Sequence, residues 1–455
     1  MSKSNRTDTP LRAARAQISN PEITVHAMYR SAIGIDVHLN LLVCCHQKQV
    51  AGHREQSESR DFNTDRASID AFAAWCRECN PDIILMESTG SLWQSPYEAL
   101  ERAGFTSEQL ALINARDAKA AAGRKTDRKD ASRLASLART GNFKKSFVPE
   151  KAFRLQRVIS RDLQKNRNDI SRTSNRFGKS LNLTGCRPTT VFSDIRGGKA
   201  ASLILMAKLR DDPHLFDVIK QNSRRLRASP EQIMQALNFE IEPMMKEQIL
   251  ALRKKIDQLE EYDRSTFERL RQLQAPYEKD IQLLITITGI QERSARMIYA
   301  ELCADLKDHF PTSEQFTSWL GICPGDNTSA GKQKSGKCPK GNKHLRRTLI
   351  EAARGLVVGG TAALKEKFQV LKMRRGYRRA MVAFAHLLAR IIYSVLTHQK
   401  GFEPYQSTAF RDTLMERAKN GVKQLLKLKG TKYVIADGLV VETKTGAILG
   451  AVVSS

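Results

Sequence analysis

Two carboxylates that each close an apolar run constrain this chain more than any other feature. Ile33-Gly34-Ile35 leads into Asp36, and Ile84-Leu85-Met86 leads into Glu87. A carboxylate at the end of a buried strand is costly unless it is solvated or paired, so two of them invite a cation between them. The flanking pattern predicts the strands. Residues 32–35 and 41–45 are apolar runs and 47–55 a polar strand candidate, together an antiparallel three-stranded meander. A helix over 66–79, a strand over 83–86, a helix over 93–103 and a strand over 110–113 follow. Three strands and then alternating helices and strands describe an α/β layer. A basic stretch, 116–128, opens a helix running to about residue 139. Asp127 and Asp130 lie three apart at its start, on one face.

Alone, Asp127 and Asp130 are ordinary helix N-terminal acids that complement the dipole, and Asp36 or Glu87 is a solvated strand end. The four together, on this α/β pattern, read as a metal site. Oxygen donors without His or Cys suit Mg²⁺ or Mn²⁺, and two such ions about 4 Å apart stabilise both attacking and leaving oxygens in phosphoryl transfer.

Charge names the partner. Lys and Arg number 75 against 48 Asp and Glu, a net +27 over 455 residues, which predicts attraction to a polyanion: nucleic acid first, an anionic membrane surface second. His386 and Arg390 interrupt the most apolar helix candidate, 380–396, so no transmembrane span is expected. Residues 1–21 read as a flexible basic arm without a signal-peptide core, and the cytoplasm is the expected location. This length predicts two or three domains. Eight cysteines do not make a disulfide scaffold. Cys76 and Cys79 fall in an apolar helix pattern, and Cys323, Cys338 and His344 read as core or loop positions rather than zinc ligands.

Residues 151–180 hold nine Lys or Arg against two acids at largely helical spacing, without Pro. This long basic helix is either a solvated face or a phosphate-tracking surface, and the charge of the whole chain favours the second. Its candidate contacts are Arg154, Arg157, Arg161, Lys165, Arg172 and Arg176. Ile249, Leu252, Ile256 and Leu259 fit a coiled-coil heptad that resumes at Leu270 and Leu273, as an intramolecular hairpin with the preceding helix or a dimer seam. Thr288-Gly289-Ile290 resembles a phosphate-gripping hairpin, with Gln291 where its second Gly is expected. Residues 331–347 form a Gly-rich basic loop without acids, carrying Lys332, Lys334, Lys337, Lys340, Lys343, Arg346 and Arg347. Residues 186–242 suggest no chemistry, and 433–453 suggest small hairpins.

Gly34-Ile35-Asp36, Glu87-Ser88-Thr89-Gly90 and Lys125-Thr126-Asp127-Arg128-Lys129-Asp130-Ala131 resemble the DEDD insertion-sequence transposases related to the Piv DNA invertase. A second block is similar to that family's C-terminal transposase domain: Phe316 to Gly325, then Asn327-Thr328-Ser329-Ala330-Gly331-Lys332, then Gly341-Asn342-Lys343-His344-Leu345-Arg346-Arg347. The fold class this implies is α/β plus mainly α. It comprises an arm (1–28), a RuvC-like (RNase H-type) domain (29–150), a helical linker with the basic helix and coiled coil (151–280), a helical transposase domain (281–400) and an extension (401–455). The resemblance assigns Asp36, Glu87, Asp127 and Asp130 to Mg²⁺ or Mn²⁺, as two ions. It makes Ser329 the nucleophile on a DNA phosphate, with Thr328 as fallback, although a Ser in a Ser-Ala-Gly turn is by itself a structural residue. Ala330 stands where the family's commoner residue is Gly. The implied activity is recombination of donor and target DNA by a homodimer or tetramer guided by a noncoding bridge RNA. A Piv-like invertase, a metal-dependent junction-resolving nuclease and a non-catalytic nucleic-acid-binding protein stay open as alternatives.

Overall fold

The computed structural model describes residues 27–49, 55–88, 90–114, 126–193, 195, 198–302, 304–325, 327–329, 332–403, 433–436, 439–442 and 448–451. Most of the expected arm at 1–28 and most of the basic stretch at 116–128 lie outside them. The chain divides into two compact units, Met1–Val148 and Pro149–Ser455.

The first unit is a five-stranded sheet with helices on both faces. Its elements are β1 (Ser31–Val37), β2 (Leu41–Gln49), β3 (Glu55–Asn63), α1 (Arg66–Cys79), β4 (Ile83–Glu87), α2 (Gln94–Arg102), β5 (Leu110–Ile113) and α3 (Asp127–Thr140). The strand order is β3-β2-β1-β4-β5. β1, β2 and β3 pair antiparallel, whereas β4 runs parallel to β1 and β5 parallel to β4. The meander is present, but residues 47–49 lengthen β2 and the third strand is Glu55–Asn63 rather than 47–55. That edge strand is exposed at every residue but the half-buried Phe62, so pairing with β2, not its own hydrophobicity, defines it. On one face Ile33, Ile35 and Val37 of β1 pack with Phe72 and Trp75 of α1 and Leu100 of α2. On the other, Ala32, Leu85 and Ile113 meet Leu134 and Ala138 of α3, and Val43 and Cys45 meet Ala131 and Ala135.

Gly34 sits on the α3 side. A Cβ there would run into the backbone N of Ala135 and the backbone O of Ala131, so α3 lies flush on β1 only because the side chain is missing.

The second unit is mainly helical. Its helices are α4 (Lys151–Leu183), α5 (Lys199–Leu209), α6 (Leu215–Asn222), α7 (Pro230–Leu237), α8 (Pro243–Leu273), α9 (Glu278–Ile285), α10 (Glu292–Glu301), α11 (Leu306–His309) and α12 (Ser313–Trp319). The hairpin of β6 (Asn327–Ser329) and β7 (Lys332–Ser335) precedes α13 (Lys343–Gly359), α14 (Ala362–Arg375) and α15 (Tyr377–His398). A three-stranded antiparallel sheet of β8 (Tyr433–Ala436), β9 (Leu439–Glu442) and β10 (Ile448–Ala451) matches the hairpins expected there. α5, α6 and α7 occupy the region whose sequence looked irregular.

The heptad of α8 is used inside the chain. Ile249, Leu252 and Ile256 are buried with Phe177 and Leu181 of α4, and Leu270 packs with Leu163. Within the chain its partner is α4, not the helix directly before α8 that the hairpin reading expected. Gly289, with φ of 90°, lies against Gly355 and the backbone of Leu356 in α13. That close approach packs the turn between α9 and α10 against α13. By length and composition alone α15 could cross a membrane, but 56% of its most apolar stretch is buried inside the unit, as in a core helix, so it does not overturn the expectation of no transmembrane span. It buries Met381, Phe384, Leu388 and Ile392 in the unit, packed against α12, α13 and α14.

A buried carboxylate ties three helices of this unit together. Glu301, fully buried, accepts from Arg161 Nε and Nη2 at 2.8 and 2.9 Å and from Asn342 Nδ2 at 2.7 Å. Arg157 donates to the backbone oxygens of Glu301 and Leu302 at 2.5 and 3.2 Å. Asn342 in turn caps α13 by accepting from the amides of His344 and Leu345. Burial pushes the Glu301 carboxyl up, but Arg161, Arg157 and Asn342 outweigh it and hold it below its ordinary value of 4.5. A depressed folded value means the stabilisation is present above that ordinary value and is lost as pH falls through the folded one. Glu301→Ala is expected to cost about 3–5 kcal/mol at neutral pH, because it strands two guanidiniums beside a buried gap. Urea unfolding of wild type and variant from pH 7 to 3 checks this, the difference narrowing toward the acid end.

Candidate metal centre and nucleic-acid surfaces

The site forms where β1 ends. The His38 amide donates to Leu41 O at 2.9 Å, closing a tight turn into β2. Strand alternation puts Gly34 and Asp36 on the α3 face, opposite Ile35 and Val37. Ile35 pairs with Met86, so the next step along the two parallel strands sets Asp36 beside Glu87, on the face that Leu85 presents to α3. Thr126 caps α3 by accepting from the Lys129 amide, placing Asp127 and Asp130 in its first turn. Flush seating of α3 over Gly34 carries that turn to Asp36.

There the structure brings Asp36, His38 and Asp127 together. His38 Nε2 lies 3.2 Å from Asp36 Oδ2 and 3.7 Å from Asp127 Oδ1. One ligand atom from each residue falls within 4.8 Å of the others. Asp36 is 9% exposed, whereas Asp127 faces solvent. Burial raises the Asp36 carboxyl above its usual value; His38 opposes that shift, and Asp130 and Asp127 add to it. Asp130 is thus within electrostatic reach, and it accepts from Arg133 at 3.1 Å. Glu87, half-buried, closes β4 one step beyond Met86, the partner of Ile35, and is not one of the three clustered groups.

His38, which was not among the candidate residues read from sequence, stands with the two acids. The signal was local: Asp36 and His38 are two apart at a strand end, which puts them on one face. The donor chemistry fits a divalent cation, since His38 Nε2 is buried without a hydrogen bond of acceptable geometry beside two carboxylates.

Residues 33–185 match a family model of IS110-type DEDD transposases, described as transposase. Residues 281–369 match the model described as transposase of the IS116/IS110/IS902 family. Both segments are thus similar to IS110/IS116-type transposases. A probable family 20 transposase of Pseudomonas aeruginosa is 33% identical over 159 residues, 34% of this chain and 46% of that protein. The transposase for insertion sequence element IS1111A of Coxiella burnetii is 33% identical over 128 residues, 27% of this chain and 35% of that protein. The matched stretches thus span less than half the length of either relative. The first matched segment holds all four acids, and the second holds Ser329 and the basic loop.

Ser329 is the last residue of β6, opposite Lys332 in β7, so it ends a strand instead of lying in a turn. The side chains of Ser329, Lys332 and Lys334 lie outside the described residues. Lys337, Lys340, Lys343 and Arg347 are exposed and Arg346 is half-buried, with Arg347 paired to Glu351 at 3.1 Å. On α4, Lys165, Arg172 and Arg176 are exposed. Arg154 instead donates to Pro149 O at 3.0 Å, and Arg157 and Arg161 are engaged at Glu301. These three guanidiniums bind inside the fold rather than face a phosphate, which revises the expectation for them.

A basic surface that the sequence reading passed over joins α14 to α15. Lys372, Arg374, Arg375, Arg378 and Arg379 are exposed there with Met373 and Tyr377 and without an acid. Its density of Arg was visible in sequence. The imagined zinc ligands have other roles: Cys76 is buried in the α1 core, Cys323 Sγ donates to Thr317, and His344 Nδ1 pairs with Gln164 Oε1.

Proposed function

We propose that the chain is a recombinase of a mobile insertion sequence, which cuts donor and target DNA and rejoins the strands through a serine-linked intermediate. The observation that carries this reading is the meeting of Asp36 and Asp127, from a strand end and a helix start, inside a segment that matches IS110-type transposases. The strand order β3-β2-β1-β4-β5, with a carboxylate at the end of the central β1, supports a RuvC-like (RNase H-type) domain.

In this reading Asp36 and Asp127, with Asp130 and Glu87 beside them, hold Mg²⁺ or Mn²⁺, as one or two ions. Such a cation supplies neutralisation of the phosphoryl oxygens and a stabilised leaving oxygen. Ser329 supplies the nucleophile. Its hydroxyl oxygen forms a bond to the DNA phosphorus as one phosphodiester P–O bond breaks, and the hydroxyl proton passes to the departing strand oxygen. A strand hydroxyl reverses that exchange on a new partner, so the ester bond energy is conserved for rejoining. Lys337, Lys340, Lys343, Lys165, Arg172, Arg176 and the α14–α15 turn offer positive charge to phosphates of DNA and of a guide RNA. Assembly as a dimer or tetramer and action on the bacterial nucleoid complete the reading.

Ser329→Ala is expected to lower recombination by roughly 10³-fold or more and to abolish protein-linked DNA on a denaturing gel. Full recombination by that variant, with no protein-linked DNA in wild type, would leave the junction-resolving nuclease as the better account.

A further inference from the structure

We propose that His38 is itself a ligand of the bound cation, so that the centre joins an imidazole nitrogen to its carboxylates and favours Mn²⁺ over Mg²⁺. This deepens the cation-site reading and rests on it.

The ring atom that faces the cluster is Nε2, 3.2 Å from Asp36 Oδ2 and 3.7 Å from Asp127 Oδ1. That atom is buried and lacks a well-aligned hydrogen bond, although the side chain as a whole is 42% exposed. The nitrogen lies inward, between the two acids that would share the ion with it. Its backbone is set by the turn that the His38 amide closes onto Leu41, so the ring is carried by the same strand end as Asp36. Three donors within 4.8 Å are spaced for a single ion.

The donor type then sets the preference. Mg²⁺ keeps oxygen ligands and several waters, whereas first-row transition ions accept imidazole readily. A site of carboxylates alone discriminates weakly between Mg²⁺ and Mn²⁺, and one nitrogen tilts it toward Mn²⁺. His38 thus determines which ion the carboxylates retain, without being needed to build the sheet.

The test uses the full-length protein and Mn²⁺ as the probe. Pulsed EPR of the Mn²⁺-loaded wild type is expected to show ¹⁴N modulation from a directly bound imidazole. His38→Gln should lose that modulation and bind Mn²⁺ about tenfold more weakly, while Mg²⁺ affinity, read by competition, stays within about twofold. Mn²⁺ bound at Asp36 without ¹⁴N modulation would overturn His38 ligation and leave the carboxylate site standing. Absence of Mn²⁺ binding, or unchanged binding in Asp36→Asn, would overturn both. The decisive signal is read on the wild type, so the folding of the variant does not enter it.

Discussion

Asp36→Asn is expected to lower DNA strand cleavage about a thousandfold while leaving the fold as stable as wild type or more so. The loss follows from charge. Asp36 is the buried member of the cluster, and an amide oxygen carries no formal charge to hold a cation. A bound metal contributes several kcal/mol of transition-state stabilisation, and about 4 kcal/mol is three decades in rate. The gain in stability follows from the same burial. Burial raises the Asp36 carboxyl, with Asp130 and Asp127 adding and His38 opposing. For an acid whose folded value is raised, the ionised form is disfavoured in the folded state, so stability falls as pH rises through the ordinary carboxylate range toward that folded value. A neutral amide removes the penalty. Adding Mn²⁺ should therefore raise the wild-type unfolding free energy from urea titration by about 2.7 kcal/mol at a hundredfold excess over Kd, and leave Asp36→Asn unmoved. Cleavage at the wild-type rate by Asp36→Asn would sink the assignment of the site.

Gly34→Ala is expected to be as damaging to activity, by a different route. The added methyl has no room, because what it meets is the backbone of α3 at Ala131 and Ala135, not the movable end of a side chain. Overpacking of this kind costs about 1–3 kcal/mol, occasionally more. The larger consequence is geometric. α3 can relieve the clash only by backing away from β1, and its first turn withdraws Asp127 and Asp130 from Asp36. Loss of Mn²⁺ binding together with a lowered urea midpoint is the expected pair of results. If Gly34→Ala bound Mn²⁺ and cleaved DNA as wild type does, flush seating of the helix would not be what builds the centre.

Much of the first unit was legible because its signals are local. α1 runs over Arg66–Cys79 as its apolar period predicts, with Asp65 capping one end and Asn80, at φ of 43°, closing the other. β5 is likewise where its apolar run lies. β3 was misplaced because Glu-Gln-Ser-Glu-Ser-Arg-Asp-Phe-Asn carries almost no hydrophobic pattern, and an exposed edge strand is defined by its neighbour's free backbone groups. In the second unit the charge of α4 could be counted, but its use could not. Arg157 and Arg161 turn inward because Glu301, far along the chain, is buried beside them and needs a counter-charge. Sequence spacing carries no record of that.

The centre divides the same way. By itself, the sequence determined that Asp36 and Glu87 end buried strands and that Asp127 and Asp130 open a helix, since each statement needs only a run of neighbouring residues and their period. Only the tertiary structure decided which of these groups share one ion-sized space. Parallel pairing of β1 with β4 sets Asp36 beside Glu87, the missing side chain of Gly34 admits α3, and the turn into β2 swings His38 toward both acids. Those contacts join residues far apart in the chain, and backbone pairing and close packing, not local propensity, bring them together.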